Sequence, residues 1–304
     1  MSNVIRKVLY QLHNVRQIAL HPLNRRHRLR SILRWMRWHV SSRLALGPIV
    51  VPFVNSSIII VEPGMTSATG NIFWGLSEPE EMGFCLHFLR PGDCFLDVGA
   101  NVGVFTILAC SVGASTISIE PSPAAFAALR RNVDANGYGN RVDLVQAAIA
   151  DHQGSIKFAC DGASTINHVA TVDPQGASID VPVTTLDAVV SGRPVVVMKI
   201  DIEGYELPAF KGAASLLNSQ SLRAIIVEVN QASGRYGFSP DDLLQRILSA
   251  GFNPVSYNPY TRCLEPVDNR AKTDNLLFVR DVAAVQGVVS AAPKVVLSGR
   301  LSSI

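Results

Sequence analysis

Cys94-Phe95-Leu96-Asp97-Val98-Gly99-Ala100-Asn101-Val102-Gly103 joins an apolar run to two glycines four residues apart, and Val104 to Val112 continues it as a helix-like stretch. A strand, a glycine turn and a helix whose first N–H groups lack partners make a cradle for a ligand. The turn lacks the third glycine of the dinucleotide fingerprint, and an aspartate closes the strand two residues before the first glycine. A short acidic turn suits a cationic, nucleoside-bearing ligand better than a pyrophosphate. On this reading Gly99 lets the backbone approach the ligand, Asp97 accepts hydrogen bonds or holds a positive group, and the helix N-terminus takes a carboxylate.

Ser115-Thr116-Ile117-Ser118-Ile119 reads as the next strand, ended by Glu120-Pro121. A carboxylate at a second strand's tip is where doubly wound folds grip a ribose diol, about 20 residues after the glycine turn. Glu120 follows Asp97 by 23 residues. Glu120 also precedes a helix start with Ser122 as N-cap and Pro123 at N1, and the two readings are compatible. A nucleoside bearing both a sulfonium and a carboxylate is S-adenosylmethionine, the cofactor to which these residues point.

From Cys94 onward strands and helices alternate, which predicts a parallel sheet covered on both faces. Core strands are expected at about 94–98, 115–119, 142–146, 195–200 and 224–229, and helices at about 103–112, 123–136, 207–218 and 240–250. Residues 155–160 and 178–183 read as an inserted antiparallel pair, and 252–257 with 276–280 as a closing hairpin. Before the sheet, Val50 to Val61 predicts a small hairpin turning at Asn55-Ser56-Ser57, Thr66 to Gly70 a flexible loop, and Pro79 the start of a helix to Phe88. The expected organisation is a basic helical arm over 1–45, a small β, loop and helix lead-in over 46–92, a catalytic domain over 93–281 and a tail over 282–304 without a functional signal.

Apolar residues make up 48% of the 304 and charged residues 17%, which excludes a disordered chain. The net charge of +3 conceals an asymmetry: residues 1–61 hold ten Arg or Lys and no acid, and the remainder carries a net −7. Basic amphipathic helices are expected over residues 1–20 and 26–40. They could lie against an anionic membrane, or pack on the catalytic domain or a second subunit of a homo-oligomer. No zinc spacing or nucleic-acid motif accompanies the charge, so nucleic acid is not an expected partner. Five cysteines without a CxxC pair, no evident signal peptide and no membrane-spanning run predict a cytoplasmic protein, peripheral on the inner membrane face if the arm docks there.

Val195-Val196-Val197-Met198 runs into Lys199-Ile200-Asp201-Ile202-Glu203-Gly204-Tyr205-Glu206. On a continued strand Lys199, Asp201 and Glu203 share one face, crowding charge at the carboxyl end where α/β sheets bind ligands. Glu228 and Asn230 end the strand after it. Methyl transfer to an oxygen needs a lone pair aimed at the sulfonium carbon and a base for the hydroxyl proton, for which Asp201, Glu203 and His168 are candidates. Asp201, Glu228 and Asn230 form a hard oxygen set that could instead hold a magnesium-like ion. The metal-free route is preferred, because such a set alone is a weak metal signal. Lys199 is either part of the catalytic group or a structural ion-pair partner, and His168 either catalytic or a solvated loop histidine.

The segments Phe95 to Gly103, Glu120-Pro121, Gln146-Ala147-Ala148-Ile149-Ala150-Asp151, Thr185-Leu186-Asp187 and Lys199 to Glu206 together resemble the FkbM family of S-adenosylmethionine-dependent methyltransferases, over about residues 75–260. The resemblance implies an α/β fold of class I methyltransferase, Rossmann-like type, with a seven-stranded mostly parallel sheet and helices on both faces. It implies that Asp97, Gly99, Asn101, Gly103 and Thr106 surround the methionine part, Glu120 and Pro121 the ribose, and Gln146, Ala147 and Ala148 the adenine edge. Asp201 and Glu203 would border the methyl-transfer site, while Lys199 and His168 remain candidates from the residues themselves. The implied activity is O-methylation of a hydroxyl on a sugar of a cell-surface glycan, glycolipid or natural product. A NAD-dependent oxidoreductase is disfavoured by the missing glycine. A non-catalytic scaffold is disfavoured by the acidic cluster, which binding alone does not require.

Overall fold

The computed structural model describes residues 13, 15–24, 28–45, 47–62, 65–159, 168–169, 178–267, 275–297 and 304. Helix Arg28–Leu44 leads into an antiparallel hairpin of β1 (Ile49–Pro52) and β2 (Ile58–Val61), which turns through Asn55 with φ +50°. Two helices follow, Thr66–Trp74 and Pro79–Phe88, and then the main sheet begins with β3 (Cys94–Val98). Helix Val104–Ser111, β4 (Ser115–Ile119), helix Pro123–Ala135 and β5 (Val142–Val145) form the first alternating half.

A small sheet then interrupts the alternation: β6 (Ala148–Ile149), β7 (Gly154–Ala159), β8 (His168–Val169) and β9 (Ser178–Thr184) pair in the order β6-β9-β7-β8. The expected antiparallel pair is β7 with β9, and its apolar side, Phe158, Val181 and Val183, buries a separate cluster. The main sheet resumes at β10 (Val195–Ile200) and β11 (Ala224–Glu228), and ends with β12 (Asn253–Asn258), β13 (Cys263–Pro266) and β14 (Asn275–Val279).

The main sheet runs β13-β12-β14-β11-β10-β3-β4-β5. Strands β5, β4, β3, β10 and β11 are mutually parallel, and β14 runs antiparallel between β11 and β12. Eight strands replace the seven expected: β13 is added at the edge beyond β12, so the expected closing hairpin of β12 and β14 has a further strand between its arms in sequence. Chain order reverses where β3 sits between β4 and β10, the crevice position of an open α/β sheet.

Helices cover both faces because the central strands are apolar on both sides. Phe95 and Val197 face one cluster, with helices Pro79–Phe88, Val104–Ser111, Pro123–Ala135 and Val282–Ser290, while Leu96, Met198 and Ile225 face the other. Full burial of such side chains contributes about 1.5–3 kcal/mol each. The expected helix over 207–218 is two, Glu206–Lys211 and Ala214–Asn218; between them the chain passes hard against the residue after β6 at Gly212, where a Cβ would lie 2.3 Å from the Ala150 carbonyl oxygen.

The expected loop at 66–70 is instead the first turn of helix Thr66–Trp74, since this segment carries a packing face. Trp38 of helix Arg28–Leu44 meets Phe73 with ring centroids 6.5 Å apart, and Asn24 Nδ2 donates to the Phe73 carbonyl at 2.9 Å. The tail also folds onto the domain: Asp281 caps helix Val282–Ser290, Leu297 bridges to Val54, and Val295 and Ile304 exchange backbone hydrogen bonds. Of the cysteines, Cys85 and Cys110 are buried, Cys94 half-buried and Cys263 exposed, all four free; Cys160 lies outside the described residues.

Side-chain amides of helix Pro123–Ala135 and its C-cap tie the hairpin strand β2 to the domain. Asn132 Oδ1 accepts from Ile60 N at 2.7 Å while its Nδ2 donates to the Val102 carbonyl at 2.8 Å, and Asn136 makes paired bonds of 2.8 Å with the Ile58 N–H and carbonyl. Asn132→Ala strands these buried groups and is expected to lower unfolding stability by about 1–3 kcal/mol. A denaturant titration checks this; an unchanged midpoint would refute the clamp.

Candidate active site

Asp97 is the register partner of Ser118 on β4 and of Lys199 on β10, so the three side chains share one face of the sheet. Helix Val104–Ser111 covers that face. Thr106 donates to Asp97 Oδ2 at 2.6 Å and lies 2.8 Å from Ser118 Oγ, and the Lys199 ammonium stands 4.8 Å from the centre of the Phe105 ring. Lys199 is 5% exposed and Asp97 1%. Lys199 Nζ donates to Asp201 Oδ2 at 3.0 Å. Burial works to discharge the ammonium, but the negative charges of Asp201, Glu78 and Asp97 outweigh it and hold the Lys199 pKa above its ordinary value. Burial raises Asp97, against the pull of Lys199 and the Thr106 hydrogen bond.

Strand β10 stops at Ile200, so Asp201 and Glu203 stand on a loop and not, as expected, on a continued strand. The loop docks on the glycine turn: Asp201 N donates to the Val98 carbonyl at 3.0 Å, and a Cβ on Gly99 would lie 1.9 Å from the Asp201 carbonyl oxygen. Gly99, with φ +78°, is therefore required by the neighbouring loop, a constraint the expectation of ligand approach did not include. Glu206, almost fully buried, holds the loop from below by accepting from Ile202 N at 3.0 Å and Gly204 N at 3.2 Å. Burial lifts its pKa to about 7 against those bonds. Glu203 takes φ +57°, uncommon for a residue with a Cβ. Burial, then the charge of Asp201, raises its pKa.

Glu120 occupies the tip of β4. Its Oε2 accepts from Asn101 N and its Oε1 from Ser122 N, both at 2.9 Å, and burial raises its pKa to about 7 against these bonds. Each carboxylate oxygen has a second lone pair, so acceptor capacity remains after both contacts.

A cavity of about 320 Å³ opens over these tips. Asp97, Gly99, Asn101, Glu120, Pro121, Ala147, Ala148, Lys199, Asp201 and Glu203, all singled out in the sequence, line it together. Three predicted residues do not reach it. Thr106 turns inward to Asp97, Gly103 with φ +90° is needed where a Cβ would meet Leu129 at 2.5 Å, and Gln146 is exposed in a separate shallow groove beside helix Pro123–Ala135. His168 lies in β8, and its side chain is outside the described ones.

The lining adds residues that sequence reading missed. Glu78, held by Asn275 Nδ2 at 3.0 Å, is raised in pKa chiefly by burial, with Lys199 pulling it back. In sequence Glu78 carries only the signal of a helix start. Phe158, Val169 and Tyr205 form an apolar wall, tied together where Tyr236 packs on Tyr205 at 5.1 Å and donates to the Val169 carbonyl at 2.8 Å.

Among the described residues no group of three His, Cys, Asp or Glu side chains is placed to hold a metal ion. Asn230, offered by sequence as a metal ligand, uses Oδ1 to cap the turn Gln231–Tyr236 at Ala232 N. Burial, followed by the charges of Asp201, Glu203 and Glu206, pushes the Glu228 pKa up to about 8.

The β5-β4-β3-β10-β11-β14-β12 order, the acidic glycine turn and the strand-tip carboxylates define a methyltransferase fold with one added edge strand. The family model described as Methyltransferase FkbM domain matches residues 97–254, and the chain belongs to the FkbM methyltransferase family. The chain is 28% identical over 203 residues to the 31-O-demethyl-FK506 methyltransferase FkbM of Streptomyces tacrolimicus, covering 55% of this chain and 75% of that protein. It is 30% identical over 161 residues to the hexuronic acid methyltransferase AglP of Haloferax volcanii, covering 52% of this chain and 62% of that protein. A crystal structure of methyltransferase FkbM from Methylobacillus flagellatus KT aligns with a TM-score of 0.42 at 15% identity, over 73% of this chain and 56% of that one.

Between the ordinary carboxyl value of 4.5 and about 8, native Glu228 binds more protons than the unfolded chain does. Stability therefore falls as pH rises through that window. The thermal midpoint of the protein without added ligand is expected to drop from pH 5 to about 8, and Glu228→Gln to flatten the slope. An unchanged slope in the variant would refute the assignment.

Proposed function

We propose that the protein transfers a methyl group from S-adenosylmethionine to a hydroxyl oxygen of a sugar-bearing acceptor. The observation that carries this reading is the charge of the cavity: Glu78, Asp97, Glu120, Asp201 and Glu203 line it against one ammonium, Lys199. Such a lining favours a cationic ligand over a pyrophosphate or a nicotinamide dinucleotide. Glu120 would take the ribose diol. Ile119, Pro121, Ala147 and Ala148 form an apolar slot beside it, suited to adenine. The Asn101 amide, pinned by Glu120, and the start of helix Val104–Ser111 lie on the methionine side. A volume of about 320 Å³ falls within the range of small-ligand sites. When bound, the cofactor supplies an electrophilic methyl group.

The chain's own part is to orient the acceptor and remove its proton. Glu203 is the base in this proposal. Burial and the neighbouring Asp201 charge raise its pKa, which suits a proton acceptor near neutrality, whereas Asp201 already accepts from Lys199. Asp201 and Lys199 position the acceptor, and Tyr205 and Phe158 shield the reacting groups from water. The acceptor class is supported by two relatives, whose names specify an O-methyl position and a hexuronic acid.

Two variants separate binding from chemistry. Glu120→Ala is expected to weaken S-adenosylmethionine binding by calorimetry about tenfold or more. Glu203→Gln should leave that affinity within a few-fold and lower kcat by about 10²–10⁴. The rate is read with labelled cofactor on a panel of neutral-sugar and uronic-acid glycosides. Undiminished binding in the first variant, or undiminished turnover in the second, would refute the corresponding role.

A further inference from the structure

Helix Arg28–Leu44 has one side seated on the protein and another facing outward. Ser31 and Trp38 are buried against the chain, whereas Leu29, Leu33, Met36, Val40 and Leu44 are 78%, 55%, 52%, 57% and 75% exposed. These five residues follow at steps of three or four, so they form one continuous apolar stripe along the outer side of the helix. At 3.6 residues per turn, Arg30 and Arg37 flank the stripe on one side and Arg28 and Arg43 on the other, all exposed. Arg34 belongs to the inner side, where it bonds Ser31 Oγ and Asn24 Oδ1.

We propose that this stripe seats the protein on an anionic lipid surface, with the leucines, methionine and valine in the acyl boundary and the four arginines among the headgroups. Charge decides the occupant. Neither the helix nor any residue from 1 to 61 carries an acid, so a second copy laid on the same stripe would bring arginine against arginine. An anionic bilayer satisfies both the apolar stripe and its two cationic borders. The helix is not a spanning segment: no helix among the described residues is long and apolar enough to cross a membrane. The fixed contact of Trp38 with Phe73 means that the whole domain, not a tethered arm, would be oriented at the surface.

The test is co-sedimentation of the full chain with vesicles of equal parts phosphatidylcholine and phosphatidylglycerol, with pure phosphatidylcholine as control. The wild type should bind the mixed vesicles, bind pure phosphatidylcholine at least about tenfold more weakly, and dissociate in high salt. Leu33→Ser with Met36→Ser should reduce binding about tenfold or more, and Arg30→Gln with Arg37→Gln several-fold. Both pairs are exposed, and unchanged circular dichroism establishes that the variants stay folded. Unchanged binding in the serine pair overturns the proposal, because charge alone would then hold the protein to the vesicle. So does a wild-type dimer by light scattering that the serine pair dissociates without any loss of vesicle binding.

Discussion

The Lys199 ammonium is almost fully buried at the end of a central strand, and an isolated charge there would cost several kcal/mol. Its surroundings are arranged around that cost. Asp97 stands beside it on β3, Asp201 bonds it from the following loop, Glu78 approaches from the start of helix Pro79–Phe88, and Phe105 offers its ring face. These groups come from four separate stretches of chain, so the ammonium ties the first half of the sheet to the second at the strand-order reversal. The same carboxylates, exceeding the single ammonium, leave the cavity acidic.

Around this cluster buried polar groups also satisfy one another. Thr106 donates to Asp97 and pairs with Ser118, Glu206 satisfies the amides of Ile202 and Gly204, and Glu120 accepts from those of Asn101 and Ser122. Buried carboxylates that accept backbone N–H groups fix loop shape, which keeps the cavity walls from relaxing in the absence of a ligand. This division explains why some carboxylates face the cavity while others, such as Glu206, lie one layer beneath it.

What the sequence made legible was local. The strand, turn and helix around Asp97, the strand tip at Glu120 and the charged end of β10 each announce themselves within a dozen residues, through apolar runs, glycines and caps. What it hid depends on contacts distant along the chain. Nothing near Thr106 says that it turns toward Asp97, nothing near Gly99 says that the Asp201 carbonyl fills the space above it, and Glu78 gains its place only beside Lys199 and Asn275. Gln146 and Ala147 are adjacent in sequence, yet one is exposed in a separate groove and the other lines the cavity. The edge strand β13, which pairs only with β12, was not anticipated from the sequence.

A crystal structure of the protein grown with S-adenosylhomocysteine bears most directly on the acidic cavity as a nucleoside site. The ribose hydroxyls should lie within hydrogen-bond reach of Glu120, with the adenine between Pro121 and Ala148 and the sulfur directed toward Asp201 and Glu203. A nucleoside bound elsewhere, with Glu120 left uncontacted, would contradict the cofactor site derived from these strand tips.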